Sequence, residues 1–206
     1  MSYKYADKTE EIMKTMMESL AKVPSTIDKE VIDEIVELLL KTKREGHKVL
    51  VAGCGTSGVA AKKIAHIMNV VTIPCFFLSP TGAIHGDLGA VTEGDVVVII
   101  TKGGQTPALL DYVGPCLHQG ATLIAVTEDP ESEIAKASQI VLKIKVDREA
   151  CPWGLVATTS TLAVMAVWDA IILSTMEHSG FTKEDFLRIH AGGAVGVKLT
   201  NELSNK

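Results

Sequence analysis

The sequence predicts a doubly wound α/β domain: a five-stranded parallel sheet flanked by helices, with further helices at the N-terminus. Three observations predict it. Short, β-branched apolar runs alternate with helical patterns. Three of the runs are apolar almost without interruption, as central strands covered on both faces must be. The glycine-rich, polar and titratable stretches fall at the carboxyl ends of the runs, where open α/β sheets bind ligands.

Residues 8–21 and 28–45 place apolar side chains at helical spacing, with Val31, Ile35, Leu38 and Leu39 on one face of the second segment. Pro24 and Ser25 divide the two helices. Asp28 is suited to cap the second and Gly46 to stop it. The predicted strands are KVLVAG (48–53), TIPCFFL (72–78), DVVVIIT (95–101), TLIAVT (122–127) and IVLKIKV (140–146). The last alternates polar and apolar residues, which fits a sheet edge. Helical patterns at 58–69, 106–119 and 131–137 fill the gaps. Residues 154–176 are long and apolar, but Asp169 and six Ser or Thr residues within them favour a helix buried in a core or subunit interface over a bilayer span. A tail of short helices follows from Thr182, which is placed to cap T-K-E-D. The expected organisation is one domain over 1–206: N-terminal helices to 46, an α/β core over 47–180, and a helical tail over 181–206.

Composition narrows the function. With 47% hydrophobic and 22% charged residues in 206, the chain can build a sizeable core. Aromatic residues are only 4%, too few for a base-stacking platform. The net charge is −5 and there is no basic run, which argues against nucleic acid as a partner. A small anionic substrate stays open, met by helix N-termini and a few local lysines. Cys54, Cys75, Cys116 and Cys151 form no C-x-x-C pair, and the charged N-terminus lacks a signal-peptide core. A cytoplasmic protein with free thiols is expected, outside the membrane. No set of residues indicates a metal site.

Gly53, Gly55 and Gly58 spell the dinucleotide fingerprint G-x-G-x-x-G. That site also needs an acid about 20 residues further on to hold the ribose. No Asp or Glu occurs between Val59 and Gly86, so a nicotinamide cofactor is disfavoured. What remains is an anion-friendly turn, with Gly55, Thr56 and Ser57 opening a helix. Thr101, Lys102, Gly103, Gly104, Gln105 and Thr106 repeat the pattern after the third predicted strand, and Lys102 adds a point charge. Two such turns on neighbouring strands point to a phosphate site. Among titratable groups, His85 lies in AIHGDLG, Glu149 in DREACP and His190 in RIHAGG. Each has a bland alternative: a structural histidine, or for Glu149 a solvated loop acid. His47, His66, His118 and His178 read as surface or packing residues. TTST (158–161) opens the long apolar helix; Thr158 and its neighbours either cap that helix or aim hydroxyls at a sugar or phosphate.

The segments VLVAGCGTSG, FFLSPTGAIHGDLG, VVVIITKGGQT, REACPWGLVATTST and GFTKEDFLRIHAGGAVG occur in the order expected of SIS (sugar isomerase) domains. From about residue 30 to 200 the chain most resembles the arabinose-5-phosphate isomerases of Kdo synthesis. The resemblance implies a flavodoxin-like five-stranded parallel sheet, homotetramers with sites at subunit interfaces, no organic cofactor, and interconversion of D-ribulose 5-phosphate and D-arabinose 5-phosphate. It implies that Thr56, Ser57, Thr101, Gly103 and Thr106 hold the phosphate, and that His85, Glu149 and His190 surround the sugar, with His190 lent by a neighbouring chain. The family usually has Lys in place of Thr56, Glu in place of Gln105, and Pro in place of Ala191. The CBS domains that often follow are expected to be absent here.

Such an isomerisation moves a proton between adjacent carbons through a cis-enediol. A base working near neutral pH is needed, which suits imidazole, so His85 or His190 is the expected base. Glu149 would orient a histidine or shuttle protons, and Gln105 would hydrogen-bond a sugar hydroxyl. Two alternatives stand beside this expectation: a non-catalytic module that senses a sugar phosphate, and an isomerase for another phosphosugar.

Overall fold

The computed structural model describes residues 3–204. It opens with α1 (Lys4–Lys22) and α2 (Lys29–Glu45), joined by a 3-10 turn through Pro24. The Asp28 side chain accepts from the N–H of Glu30, and Gly46 closes α2 in the left-handed conformation at φ 77°. Both are the cap and stop expected from sequence. The alternating part follows: β1 (Val49–Gly53), α3 (Gly55–Val70), β2 (Cys75–Phe77), a short α4 (Pro80–Ala83), β3 (Val96–Ile100), α5 (Pro107–His118), β4 (Thr122–Thr127), α6 (Glu133–Ala137) and β5 (Ile140–Lys143). The chain then runs through the long α7 (Thr159–His178), α8 (Lys183–Ile189) and α9 (Gly193–Ser204). Thr182 and Asp185 form a reciprocal capping box at α8. The last residues of the expected tail, 205 and 206, lie outside the described residues.

All strand pairs are parallel, in the order β2-β1-β3-β4-β5. Alternate residues of each central strand enter different cores. Val49, Val51, Val96, Val98 and Ile100 pack on one side with α2, α3 and α7. Leu50, Ala52, Val97 and Ile99 pack on the other with Leu109, Tyr112 and Cys116 of α5. Burial on both faces is why these strands read as continuous apolar runs.

Two strands are shorter than their runs. β2 begins only at Cys75, because Thr72 takes a positive φ of 59° and Pro74 has no N–H to give a ladder. β5 stops at Lys143, beyond which the Ile144 N–H still reaches the carbonyl of Thr127 at 3.1 Å. α7 is long and apolar enough to cross a bilayer by length and composition. Here one side of it is buried through Ala163, Trp168, Ile171 and Ile172 among α2 and α3. Asp169, midway along it, pairs with Lys63 of α3.

The G-x-G-x-x-G glycines have a steric cause. A Cβ on Gly53 would lie 2.7 Å from the carbonyl oxygen of Ser57, and one on Gly58 would lie 2.7 Å from that of Gly53. Gly55 needs a positive φ of 57° to start α3. The three glycines let the helix pack tightly on the end of β1, and no cofactor is needed to account for them.

Candidate functional site

Order along the sheet reverses between β1 and β3. That switch point, beyond the strand ends, is where such sheets open a crevice. Gly53, Ile100 and Val126 lie level across β1, β3 and β4. The residues just after them therefore meet over one spot. A cavity of about 70 Å³ sits there, lined among others by Thr56, Ser57, Lys102, Glu128, Ser160 and Thr161. A larger groove of about 410 Å³ lies between the N-terminal helices and α7, but it is walled by Leu, Ile, Val, Ala and Pro with one serine. It holds no titratable group among the described residues.

One wall of the small cavity is the first turn of α3. Its cap residue, Cys54, makes no side-chain hydrogen bond to the helix. The N–H groups of Gly55, Thr56 and Ser57 precede the first intrahelical bond, made by Gly58 to the Cys54 carbonyl at 3.2 Å. They and the neighbouring hydroxyls form a place for an anion.

The second wall is the loop from Thr101 to Thr106. Thr101 is buried, and its hydroxyl lies 2.9 Å from that of Thr106 at the start of α5. The Lys102 carbonyl accepts from the Thr127 hydroxyl at 2.9 Å and from the Glu128 N–H at 3.0 Å. The Gly104 carbonyl accepts from the Ile134 N–H at 3.2 Å. Gly104 takes φ 65°, and a Cβ there would overlap the Ser132 side chain. The loop is thus clamped to the end of β4, with Lys102 projecting beside the cavity.

Glu149 ties this loop to the third wall. It is only 5% exposed. Its Oε2 accepts from the N–H groups of Thr158 at 3.0 Å, Thr159 at 2.8 Å and Ser160 at 3.4 Å, so it caps α7. Its Oε1 accepts from the Ser160 hydroxyl and from Lys102 Nζ, the latter at 3.2 Å. Burial works to raise its pKa, but the Ser160 hydroxyl, the Thr158 N–H, the Lys102 ammonium and the Ser160 N–H outweigh burial and hold it down at about 2. The expectation of a solvated loop acid is therefore corrected. Glu149 is a buried carboxylate that clamps the Lys102 loop to the start of α7. Lys102 also approaches Glu128, at 3.6 Å.

The two histidines stand apart from this arrangement. His85 is exposed on the turn after α4, its N–H bonded to the carbonyl of Gly82 at 2.9 Å. His190 is exposed at the end of α8, its ring 5.0 Å from that of Phe186. Neither lines the cavity within one chain.

Residues 44–174 match the SIS domain family. The chain belongs to that family. This SIS domain is 33% identical over 195 residues to the arabinose 5-phosphate isomerase KdsD of Francisella tularensis, covering 95% of this chain and 59% of the relative. With KdsD of Pseudomonas aeruginosa it shares 40% identity over 163 residues, 79% of this chain and 49% of the relative. The chain thus spans about half the length of the curated relatives it matches. Among solved structures, Escherichia coli CFT073 c3406 in complex with arabinose 5-phosphate superposes with a TM-score of 0.82 at 30% identity, over 92% of this chain and all of that one.

Of the sequence-predicted residues, this SIS domain brings Thr56, Ser57 and Lys102 to the cavity wall. Gly55 supplies the turn beneath them, and Thr101 and Thr106 brace the neighbouring loop. Gly103 and Gln105 are exposed on that loop and outside the cavity lining. Of the two readings of Thr158, the structure places it at the helix cap: its N–H and hydroxyl turn to Glu149, at 3.0 and 3.5 Å, while Ser160 and Thr161 line the cavity. Sequence reading missed Glu128. The signal was its position directly after an apolar strand, at the same level as Lys102, but the pairing of β3 with β4 is what gives that position meaning.

Proposed function

We propose that this SIS domain is an aldose–ketose isomerase that interconverts D-ribulose 5-phosphate and D-arabinose 5-phosphate through a cis-enediol. The observation that carries the reading is the strand-end cavity: uncommitted N–H groups of α3, the Thr56 and Ser57 hydroxyls and the Lys102 ammonium converge on a volume fit for a phosphate group. Support comes from relatives named arabinose 5-phosphate isomerase and from the c3406 complex with that sugar phosphate.

In this reading the phosphate sits on the first turn of α3, where the helix dipole and N–H groups favour a dianion. Thr101, Gly103 and Thr106 shape the second loop against it, and Gln105 hydrogen-bonds a sugar hydroxyl. Anchoring the phosphate holds C1 and C2 against the base. His85 or His190 takes the C2 proton of the aldose and returns it at C1, while a second proton passes from O2 to O1, giving the ketose. Because neither histidine lines the cavity of one chain, the complete site forms between subunits of a homotetramer, with His190 lent by a neighbour. Glu149 acts by position: it fixes Lys102 and the N-terminus of α7 around the substrate. The product would supply Kdo for lipopolysaccharide or capsule in the cytoplasm.

The distance of the histidines from the cavity also favours a second reading, a module that binds a sugar phosphate without turning it over. Conversion of ribulose 5-phosphate, with solvent deuterium entering C2 of arabinose 5-phosphate, separates the two. Purified protein that binds pentose phosphates yet shows neither conversion nor exchange would refute the isomerase reading.

A further inference from the structure

Glu128 follows the last residue of β4, and its backbone is fixed by the bond from its N–H to the Lys102 carbonyl at 3.0 Å. It lines the same cavity as Thr56, Ser57, Lys102 and Ser160, and it is the one carboxylate among the described residues of that lining. Its Oε1 is closed off from solvent and has no hydrogen-bond partner among the described residues. The nearest cation, Lys102 Nζ, stands 3.6 Å away, beyond hydrogen-bonding distance. A buried carboxylate oxygen without a donor is costly, and proteins seldom keep one without a use. Its neighbour Glu149 offers no comparable capacity, since both its oxygens already accept protein donors.

We propose that Glu128 is a specificity-determining residue that accepts a hydrogen bond from a hydroxyl of the sugar chain. The assignment rests on the reading of the cavity as a sugar-phosphate site. A carboxylate repels phosphate and welcomes hydroxyl groups, so Glu128 also orients the ligand. The phosphate lies toward the N–H groups of α3 and the carbon chain toward the end of β4.

The test compares ribulose 5-phosphate with inorganic phosphate, by calorimetric titration and by steady-state kinetics, on the full chain and on the variants Glu128→Ala and Glu128→Gln. Glu128→Gln has the same shape and guards against a folding artefact, checked by circular dichroism. A bond to a charged acceptor is worth about ten- to hundredfold in affinity. Glu128→Ala is expected to weaken ribulose 5-phosphate by that factor and raise KM, while phosphate binding stays equal or tightens. Glu128→Gln, whose amide oxygen still accepts, recovers part of the loss. Should the two ligands change by the same factor, Glu128 acts only through Lys102 and the proposal falls while the isomerase reading stands. Wild-type protein that binds phosphate but not ribulose 5-phosphate would overturn both.

Discussion

Replacing Glu149 by Gln removes one charge from a buried clamp and leaves its shape. The carboxyl is held at about 2 against an ordinary 4.5. At about 1.36 kcal/mol for each tenfold change in proton affinity, that gap corresponds to about 3 kcal/mol of folding stability. Glutamine keeps one oxygen to accept from the α7 N–H groups, so the expected loss is about 2 kcal/mol at pH 7. Its pH dependence follows from the sign of the shift. A carboxyl whose pKa is lower folded than unfolded stabilises fully above the unfolded value. That stabilisation drains away as pH falls from about 4.5 to about 2. Urea unfolding at fixed protein concentration, at neutral pH and at steps through the acid range, should therefore show wild type and Glu149→Gln converging toward pH 2. Activity should fall as well, because Lys102 and the start of α7 lose their common anchor. A stability difference under about 0.5 kcal/mol at pH 7, or a difference unchanged at pH 2, would refute the clamp.

Two further outcomes follow. Gly104→Ala forces a residue with a side chain into φ 65° and into the Ser132 side chain. It should cost about 1–3 kcal/mol or more in denaturant unfolding, whereas Gly103→Ala, with open space around it, should stay within about 0.5 kcal/mol. Equal effects at the two glycines would show that the loop is not clamped as described. If His190 is lent across a subunit interface, His85→Ala and His190→Ala proteins, each inactive alone, should regain part of the activity when mixed and reassembled. Mixed oligomers without any recovery would place both histidines on the same chain.

Local periodicity and turn chemistry were legible in the sequence. The Asp28 cap, the Gly46 stop and the Thr182 capping box all depend on residues near one another in the chain, and the polar–apolar alternation of β5 marked it as an edge strand. So does the strand-to-helix turn at Gly53–Gly58, because its glycines answer a contact five residues apart. The lengths of β2 and β5 were less legible: Thr72 and Pro74 delay the start of β2, and the pairing of β5 ends with Thr127, the last residue of β4, rather than where apolar residues run out.

The roles of the acids required the tertiary structure. Glu149 reads as a solvated loop residue because nothing in DREACP announces that the N–H groups of residues 158–160 will close around it. Glu128 looks like an ordinary loop acid until β3 and β4 align and bring Lys102 beside it. Sequence alone determines which groups stand at the strand ends, since propensity and polarity pattern act locally. Which of them become buried, charged and paired is decided by strand order and long-range packing, because a carboxylate's behaviour is set by the donors that the fold brings to it.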